Sequence, residues 1–148
     1  KYRAIVHGRL AVEEGTINAP IGRDEKERKK MAVNEKNGKP AVTHYKVLKT
    51  FREYSYIECR LETGRTHQIR VHMASISHPL LGDRLYNRND QNPFHLPGQA
   101  LHARVLGFRH PHSGEYLEVS APFPESFTKL LDTLYESSGQ ARSNQLSY

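Results

Sequence analysis

At 148 residues the chain is long enough for about one domain with its own core, and 36% hydrophobic with 26% charged residues is a globular composition. No run of about 18 apolar residues and no leader pattern occurs, which excludes membrane-embedded and secreted classes and predicts a cytoplasmic protein without a membrane partner. The 22 Lys and Arg against 16 Asp and Glu, a net charge of +6, favour a polyanionic partner such as nucleic acid, and the single Cys59 excludes an internal disulfide.

Alternation of apolar residues with period two predicts short antiparallel strands in the first sixty residues. The pattern occurs in three segments, at Tyr2, Ala4 and Val6, at Thr43, Tyr45 and Val47, and at Ile57, Cys59 and Leu61. Because Cys59 lies in the middle of such a strand with no evident base beside it, we expect a buried thiol and not a nucleophile or a metal ligand.

The segment "GRDEKERKKMAVNEKNGKP", residues 22–40, is almost purely charged and polar and ends in turn-forming residues. It is predicted to be an exposed excursion between two strands. Two interpretations of its charge stay open, because a basic balance alone does not separate nucleic-acid binders from other proteins. Either the segment is a solvated loop, or Arg23, Lys29 and Lys30 contact the phosphates of an RNA backbone.

After Gly64 the apolar period becomes helical, with Ile69, His72, Met73 and Ile76 at positions i, i+3, i+4 and i+7. This spacing predicts a short helix directly after the "GRTHQIR" turn. The following "HPLLGDRLY" ends the helix and leads into a loop rich in Asn, Asp and Pro.

The last third of the chain is predicted to form strands and a second helix. "ALHARVLGF" alternates from Ala100, "HPHSGEYLEV" supplies a turn and a returning strand, and a helix opens at Pro124 with an apolar face at Phe127, Leu130, Leu131 and Leu134. The predicted fold is α+β, with a mixed but mainly antiparallel sheet and two helices. We expect one domain over residues 1–136 and a polar, disordered tail over residues 137–148.

Several familiar chemistries are not predicted. "GTINAPIG" lacks both the spacing and the lysine of a phosphate-binding loop. His67 and His72 are five residues apart and do not share a helical face, and His110 and His112 bracket a proline in a turn, so neither pair has the spacing of zinc ligands. No cofactor and no metal are expected.

Five segments in order resemble a known family over about residues 1 to 127. They are "YRAIVHG", "GKPAVTHYKVL", "TGRTHQIRVH", "HPLLGDRLY" and "QALHARVLGFRHPHSGEYLEVSAPFP". Together they resemble the RluA-type pseudouridine synthases, which act on large-subunit ribosomal RNA. The resemblance implies isomerisation of uridine to pseudouridine in structured RNA without a cofactor. In that family an aspartate attacks or deprotonates the ribose, and the uracil detaches, rotates and reattaches through carbon 5.

The resemblance also implies roles for two residues. Arg70 matches the arginine that pairs with the catalytic aspartate, and Tyr2 matches the tyrosine that stacks on the target base and helps move the proton from carbon 5. The first role is physically sound, because a guanidinium keeps a nearby carboxylate ionised. Arg65 and His67 lie at the turn and are better placed for RNA phosphates than for chemistry. The alternatives are structural or capping roles for these two residues and a surface position with a buried stem for Arg70.

The sequence departs from the family at the nucleophile. The family's aspartate lies in an H-R-L-D segment upstream of the tyrosine strand, and no such segment occurs here. The aspartates present are Asp24, Asp83, Asp90 and Asp132. Only Asp83 is near the arginine motif, and it matches a structural position of the family and not a catalytic one.

We therefore expect the chain to be the C-terminal portion of a synthase, excised from a longer protein, because a strand pattern begins at Lys1 with no lead-in. Such a portion would be inactive alone, and its partners would be RNA and the missing N-terminal half. The alternative is a non-catalytic RNA-binding module that has kept the fold.

Overall fold

A five-stranded antiparallel sheet forms the centre of the protein, whose computed structural model describes residues 1–109 and 111–139. The strands of this sheet are β1 (Tyr2–His7), β2 (Glu14–Asn18), β5 (Val42–Thr50), β6 (Tyr54–Leu61) and β7 (Leu101–Ala103). Their order across the sheet is β2-β5-β6-β1-β7. The chain also forms two small hairpins, β3 (Ile21–Arg23) with β4 (Met31–Val33) and β8 (Val105–Arg109) with β9 (Tyr116–Ser120), and two helices, α1 (Gln68–Ser75) and α2 (Glu125–Ser137). The predicted α+β class is confirmed.

The two faces of the sheet bury different clusters, because successive side chains of a strand point to opposite sides. Ala4, Val6, Ile57 and Cys59 belong to the cluster that contains Ile69 and Met73 of α1. Ile5 and Tyr56 belong to the other cluster, which contains the predicted apolar face of α2 at Phe127, Leu130, Leu131 and Leu134. The sheet thus carries one helix on each face, and the helix that follows the "GRTHQIR" turn packs on the side to which Tyr2 also belongs.

Cys59 is completely buried, as the alternation predicted. Burial raises the pKa of its thiol to about 12, so the thiolate that nucleophilic or metal chemistry needs is not formed at neutral pH.

Residues 22–40 are more ordered than an exposed loop. β3 and β4 pair from Ile21 with Val33 to Arg23 with Met31, and Ile21 also bridges to Lys39. Ile21 is buried beside Ala41, which precedes β5, and beside Val71 of α1. The segment is an excursion between two strands of the sheet and is largely exposed, as predicted, but it contains a hairpin that the sequence did not reveal. Three-residue strands are too short to produce a visible period, although their apolar side chains anchor the hairpin to α1.

The segment "ALHARVLGF" forms two strands and not one. β7 pairs with β1, whereas β8 pairs with β9, and Arg104 between them donates its backbone N–H to the carbonyl of Lys1. α2 begins after Pro124, as predicted, and ends at Ser137, one residue past the predicted end of the domain. Residues 140–148 of the predicted tail and His110 of the predicted turn lie outside the described residues.

Candidate active site

A cavity of about 240 Å³ brings together four residues that the sequence analysis singled out, namely Tyr2, Arg65, His67 and Arg70. We call it the site pocket. The start of β1 supplies Tyr2, and the turn before α1 and its first turn supply the others; the rest of the wall is Leu61, Gln68, Ile69, Gln99 and Leu101. The other three predicted residues, Arg23, Lys29 and Lys30, are not in this pocket and lie on the β3–β4 hairpin.

Tyr2 reaches the pocket because of its register in the sheet. It pairs with Cys59 of β6 on one side and with Ala103 of β7 on the other, and its partly buried ring packs against the cluster under α1. The hydroxyl makes no hydrogen bond within the part of the chain that the structure describes. An aromatic ring fixed by a strand and free at its polar end can stack on a base that enters the pocket.

The turn before α1 is held by the buried side chain of Gln68. Its Oε1 accepts hydrogen bonds from Thr63 Oγ1 at 2.7 Å and from the backbone N–H of Arg65 at 3.0 Å. Its Nε2 donates to the carbonyl of Val42 at 2.9 Å and to Thr43 Oγ1 at 3.0 Å. The amide therefore uses both its oxygen and its nitrogen to fasten the turn to β5, which fixes where α1 begins.

His72 continues this network under the helix. The carbonyl of Ala19 can only accept, so His72 carries its proton on Nε2 and donates to that carbonyl at 2.9 Å. In the neutral ring Nδ1 then accepts from Thr43 Oγ1 at 2.7 Å, while the same hydroxyl oxygen accepts from Gln68. Burial lowers the pKa of His72, so the neutral ring is the stable form. The histidine that the helical period predicted for the core is therefore a buried polar clamp between α1 and β5.

His67 lies in the left-handed region of the backbone, at φ 54°, and caps α1 without a side-chain hydrogen bond to the helix. Its Nδ1 is 2.7 Å from the hydroxyl of Tyr86, whose ring meets the imidazole edge to face. Burial, and then the charge of Arg70, lower the pKa of His67. At neutral pH this residue is therefore a neutral hydrogen-bonding group, and a phosphate contact made by it would be a hydrogen bond and not an ion pair.

Arg70 is fixed by a bidentate ion pair with Asp83. Nε donates to Asp83 Oδ2 at 2.8 Å and Nη2 donates to Oδ1 at 2.9 Å, and the Asp83 side chain is only 1% exposed. The guanidinium also lies over the ring of Tyr86, 5.1 Å from its centroid. Hydrogen bonding to Asp83 raises the pKa of Arg70, so the guanidinium remains charged. The inner edge of the fork, which could have held a catalytic carboxylate, is thus already occupied.

The outer edge of the Arg70 fork remains for a ligand. Nη1 has no partner among the described residues, and Nη2 has a second proton beyond the one given to Asp83. Because Arg70 lines the site pocket, this edge is the cationic group available to a carboxylate or phosphate there. Asp83, predicted to be structural, orients Arg70, and no signal in the sequence reveals this pair because its members are 13 residues apart and joined through a loop.

Arg65 is placed at the rim of the pocket. Its Nε donates to the carbonyl of Pro40 at 2.8 Å, which leaves the terminal nitrogens of the guanidinium for solvent or a ligand.

Within residues 1–109 and 111–139, no cluster of three or more His, Cys, Asp or Glu side chains is arranged to hold a metal ion. Neither helix of the described chain has the length and apolar character that crossing a membrane requires.

Comparison with known proteins agrees with this architecture. A family model described as RNA pseudouridylate synthase matches residues 1–75. The chain is 54% identical over 134 residues to the uncharacterized RNA pseudouridine synthase YlyB of Bacillus subtilis, covering 90% of the chain and 43% of that protein. It is 48% identical over 139 residues to the ribosomal large subunit pseudouridine synthase D of Nitrosomonas europaea, covering 90% of the chain and 40% of that protein.

Solved structures give the same result. Human RNA pseudouridylate synthase domain containing 1 superimposes with a TM-score of 0.72 at 26% identity, over 96% of this chain and 66% of that one. Human RNA pseudouridylate synthase domain containing 4 gives a TM-score of 0.68 at 26% identity, over 90% and 60%. The fold is that of RNA pseudouridylate synthase domains.

The chain belongs to the RNA pseudouridylate synthase family, in the RluA-type branch that includes the D enzymes. The resemblance seen in the sequence is thereby confirmed. The chain spans about two fifths of the length of the curated relatives that it matches, with coverage of 43% and 40% for the two relatives above.

Proposed function

We propose that this chain is the C-terminal part of the catalytic domain of a synthase that isomerises uridine to pseudouridine in structured ribosomal RNA. The observation that carries the proposal is the outer edge of Arg70, held in the site pocket by a buried carboxylate and left open beside Tyr2. The names of relatives that act on the ribosomal large subunit support the choice of RNA. Such RNA is met in the cytoplasm, and the second partner is the upstream part of the same protein.

In the proposed reaction the N1–C1′ bond of the target uridine breaks and a C5–C1′ bond forms. The proton leaves C5 and N1 gains one, so the reaction is an isomerisation that needs no oxidant, reductant or cofactor. The target base must leave its stack to reach the pocket, where Tyr2 stacks on it and its hydroxyl assists the proton transfer from C5. Arg70 would hold an aspartate in its ionised form at the ribose.

The aspartate itself must come from outside this chain. Asp83 is buried and both of its oxygens are bonded to Arg70, so it cannot approach a ribose without releasing the arginine. Tyr2 and Arg70 can stack and position but do not replace a nucleophile. We therefore infer that the chain alone binds RNA but makes no pseudouridine. The alternative, a non-catalytic RNA-binding module, makes the same statement about this chain and differs only for the longer protein.

Tritium release from ribosomal RNA labelled at uridine C5 tests the proposal. The 148-residue chain should release none above background, whereas the protein extended upstream to include an H-R-L-D segment should release it. The matched control is the extended protein with that aspartate replaced by asparagine. Release by the chain alone would require another carboxylate, and Asp83→Asn would then test the first candidate. An extended protein that binds RNA without releasing tritium would favour the non-catalytic module.

A further inference from the structure

The charged residues of the "GRDEKERKK" segment, which are adjacent in the sequence, have different roles in the structure. Asp24 bonds to the backbone that follows it: its Oδ1 accepts the N–H groups of Lys26 and Glu27, both at 2.9 Å, and these bonds lower the pKa of the carboxyl group. Its carboxylate thus shapes the turn between β3 and β4. One of the segment's three carboxylates therefore has a structural role.

A groove of about 610 Å³ runs between this turn and residues 84–88, which follow Asp83. We call it the basic groove. Its wall carries one carboxylate, Glu27, and six cations, namely Lys26, Arg28, Lys29, Lys30, Arg84 and Arg88. Six positive charges against one negative leave an excess of five in a single concave surface, on a protein whose total is +6. A concave cationic surface concentrates the field toward a polyanion.

Most of these cations are available to a ligand. Glu27 pairs with Lys30, at 3.1 Å, and with Arg88, and these pairs lower its pKa. Such exposed pairs are weak and exchange readily with another anion. The side chains of Arg84 and Lys29 make no hydrogen bond or ion pair within the described part of the chain. The exposed Leu85, 38% accessible, adds an apolar side chain to the groove wall.

The basic groove and the site pocket are joined by the same turn. Tyr86 accepts the backbone N–H of Met31 at 3.1 Å, which ties it to the β3–β4 hairpin, and its hydroxyl contacts His67 on the pocket side. Asp83, which precedes the groove residue Arg84, holds Arg70. A ligand bound along the groove is therefore held in a fixed position relative to the pocket.

We propose that the basic groove binds the RNA sugar–phosphate backbone next to the nucleotide that enters the site pocket. This inference rests on the proposed function for the nature of the polyanion, and it adds Arg84 and Arg88, to which the sequence alone assigned no role. The cations supply sequence-independent affinity and register, and Leu85 contacts a ribose or a base. An acidic protein segment is the competing ligand, and RNA is favoured because the adjoining pocket belongs to an RNA pseudouridylate synthase fold.

Fluorescence anisotropy of a labelled RNA hairpin with the 148-residue chain tests the groove. The variants are Arg84→Gln and Lys29→Gln, and the matched controls are Arg52→Gln and Lys36→Gln, which remove exposed cations outside the groove. Each groove variant should lose one phosphate contact, so affinity should fall about five- to eightfold at 0.1 M salt, and the log–log salt slope should decrease by about 0.7 to 0.9. The controls should keep both quantities, and all variants should keep the melting temperature.

The proposal is overturned if the chain does not bind RNA, if the groove variants bind like the unmodified chain, or if the controls lose as much affinity. Competition by polyglutamate as strong as by RNA, with the same dependence on Arg84, would assign the groove to an acidic protein. The result is independent of the tritium assay, which measures chemistry. A protein that binds through Arg84 and Lys29 but never isomerises uridine would retain the groove and lose the synthase function.

Discussion

The site pocket and the basic groove share the turn at residues 83–88 but use their cations in opposite ways. In the pocket, Arg70 is 13% exposed and two of its nitrogens are committed to a buried carboxylate. In the groove, Arg84 is exposed and has no partner among the described residues. A buried, bidentate arginine has one geometry and suits the positioning of a reacting group, whereas exposed cations suit a backbone whose position varies.

Arg70→Lys in the protein extended by its upstream aspartate should have the largest effect. Lysine keeps the charge but cannot hold Asp83 at two points and also present an outer edge to the pocket. We expect the single-turnover rate to fall about 10²-fold or more, as for a misplaced catalytic group, while the dissociation constant for RNA changes little. The control is Arg84→Lys, which should leave the rate unchanged. A wild-type rate for Arg70→Lys would remove this residue from the active site.

The sequence predicted the site pocket more completely than the basic groove. Period-two alternation predicted β1, β5 and β6, and the spacing after Gly64 predicted α1, because the apolar residues that these elements contribute to their shared cluster recur at regular spacing. The motifs likewise led to the pocket residues Tyr2 and Arg70. The groove was only half visible, since Lys29 lies in a charged run but Arg84 meets it through the tertiary fold.

The other features that the sequence did not predict have the same physical origin. The pairing of Arg70 with Asp83 and the Gln68–Thr43–His72 network are contacts between elements, and no local period encodes them. The break between β7 and β8 is hidden because alternation continues while the strand partner changes from β1 to β9.

Tyr2→Phe tests whether the pocket does more than stack. The hydroxyl has no partner in the described structure, so its loss should leave the melting temperature and the RNA affinity unchanged. If it moves the proton from carbon 5, the single-turnover rate should fall by at least about tenfold, toward the 10² that positioned acid–base groups contribute. The matched control is Tyr116→Phe, an exposed tyrosine on β9 outside the pocket. An unchanged rate for Tyr2→Phe would reduce this residue to a stacking platform.

The buried network under α1, which supports the pocket, should also respond to pH in a way that the groove does not. Burial lowers the pKa of His72 below its ordinary value of 6.5, so below pH 6.5 the unfolded chain binds a proton that the folded chain does not. Stability should therefore be complete above that pH and decrease as pH falls toward 5, by no more than about 1.4 kcal/mol per pH unit for one histidine.

Urea unfolding at several pH values between 7 and 5 measures this slope. His72→Gln, whose amide can still bond both Thr43 and the carbonyl of Ala19, should flatten it in part. Some slope should remain, because burial also lowers the pKa of His67. The comparison is His95→Gln, an exposed histidine in the 84–100 loop. A slope unchanged in His72→Gln would show that the buried clamp does not titrate in this range.

Arg65→Gln should have the smallest effect. It tests whether Arg65, at the rim of the pocket, behaves like the groove cations or like Arg70. Arg65 lines the pocket, yet the one side-chain hydrogen bond that it makes within the described residues, to the carbonyl of Pro40, is exposed and leaves the terminal nitrogens open. This is the arrangement of a groove cation and not of Arg70. We expect RNA affinity to fall by about fivefold at 0.1 M salt, as for one lost phosphate contact, with the single-turnover rate at saturating RNA preserved. A reduced rate at unchanged affinity would instead make Arg65 part of the rigid pocket, and the boundary between positioning and binding would then lie outside the pocket.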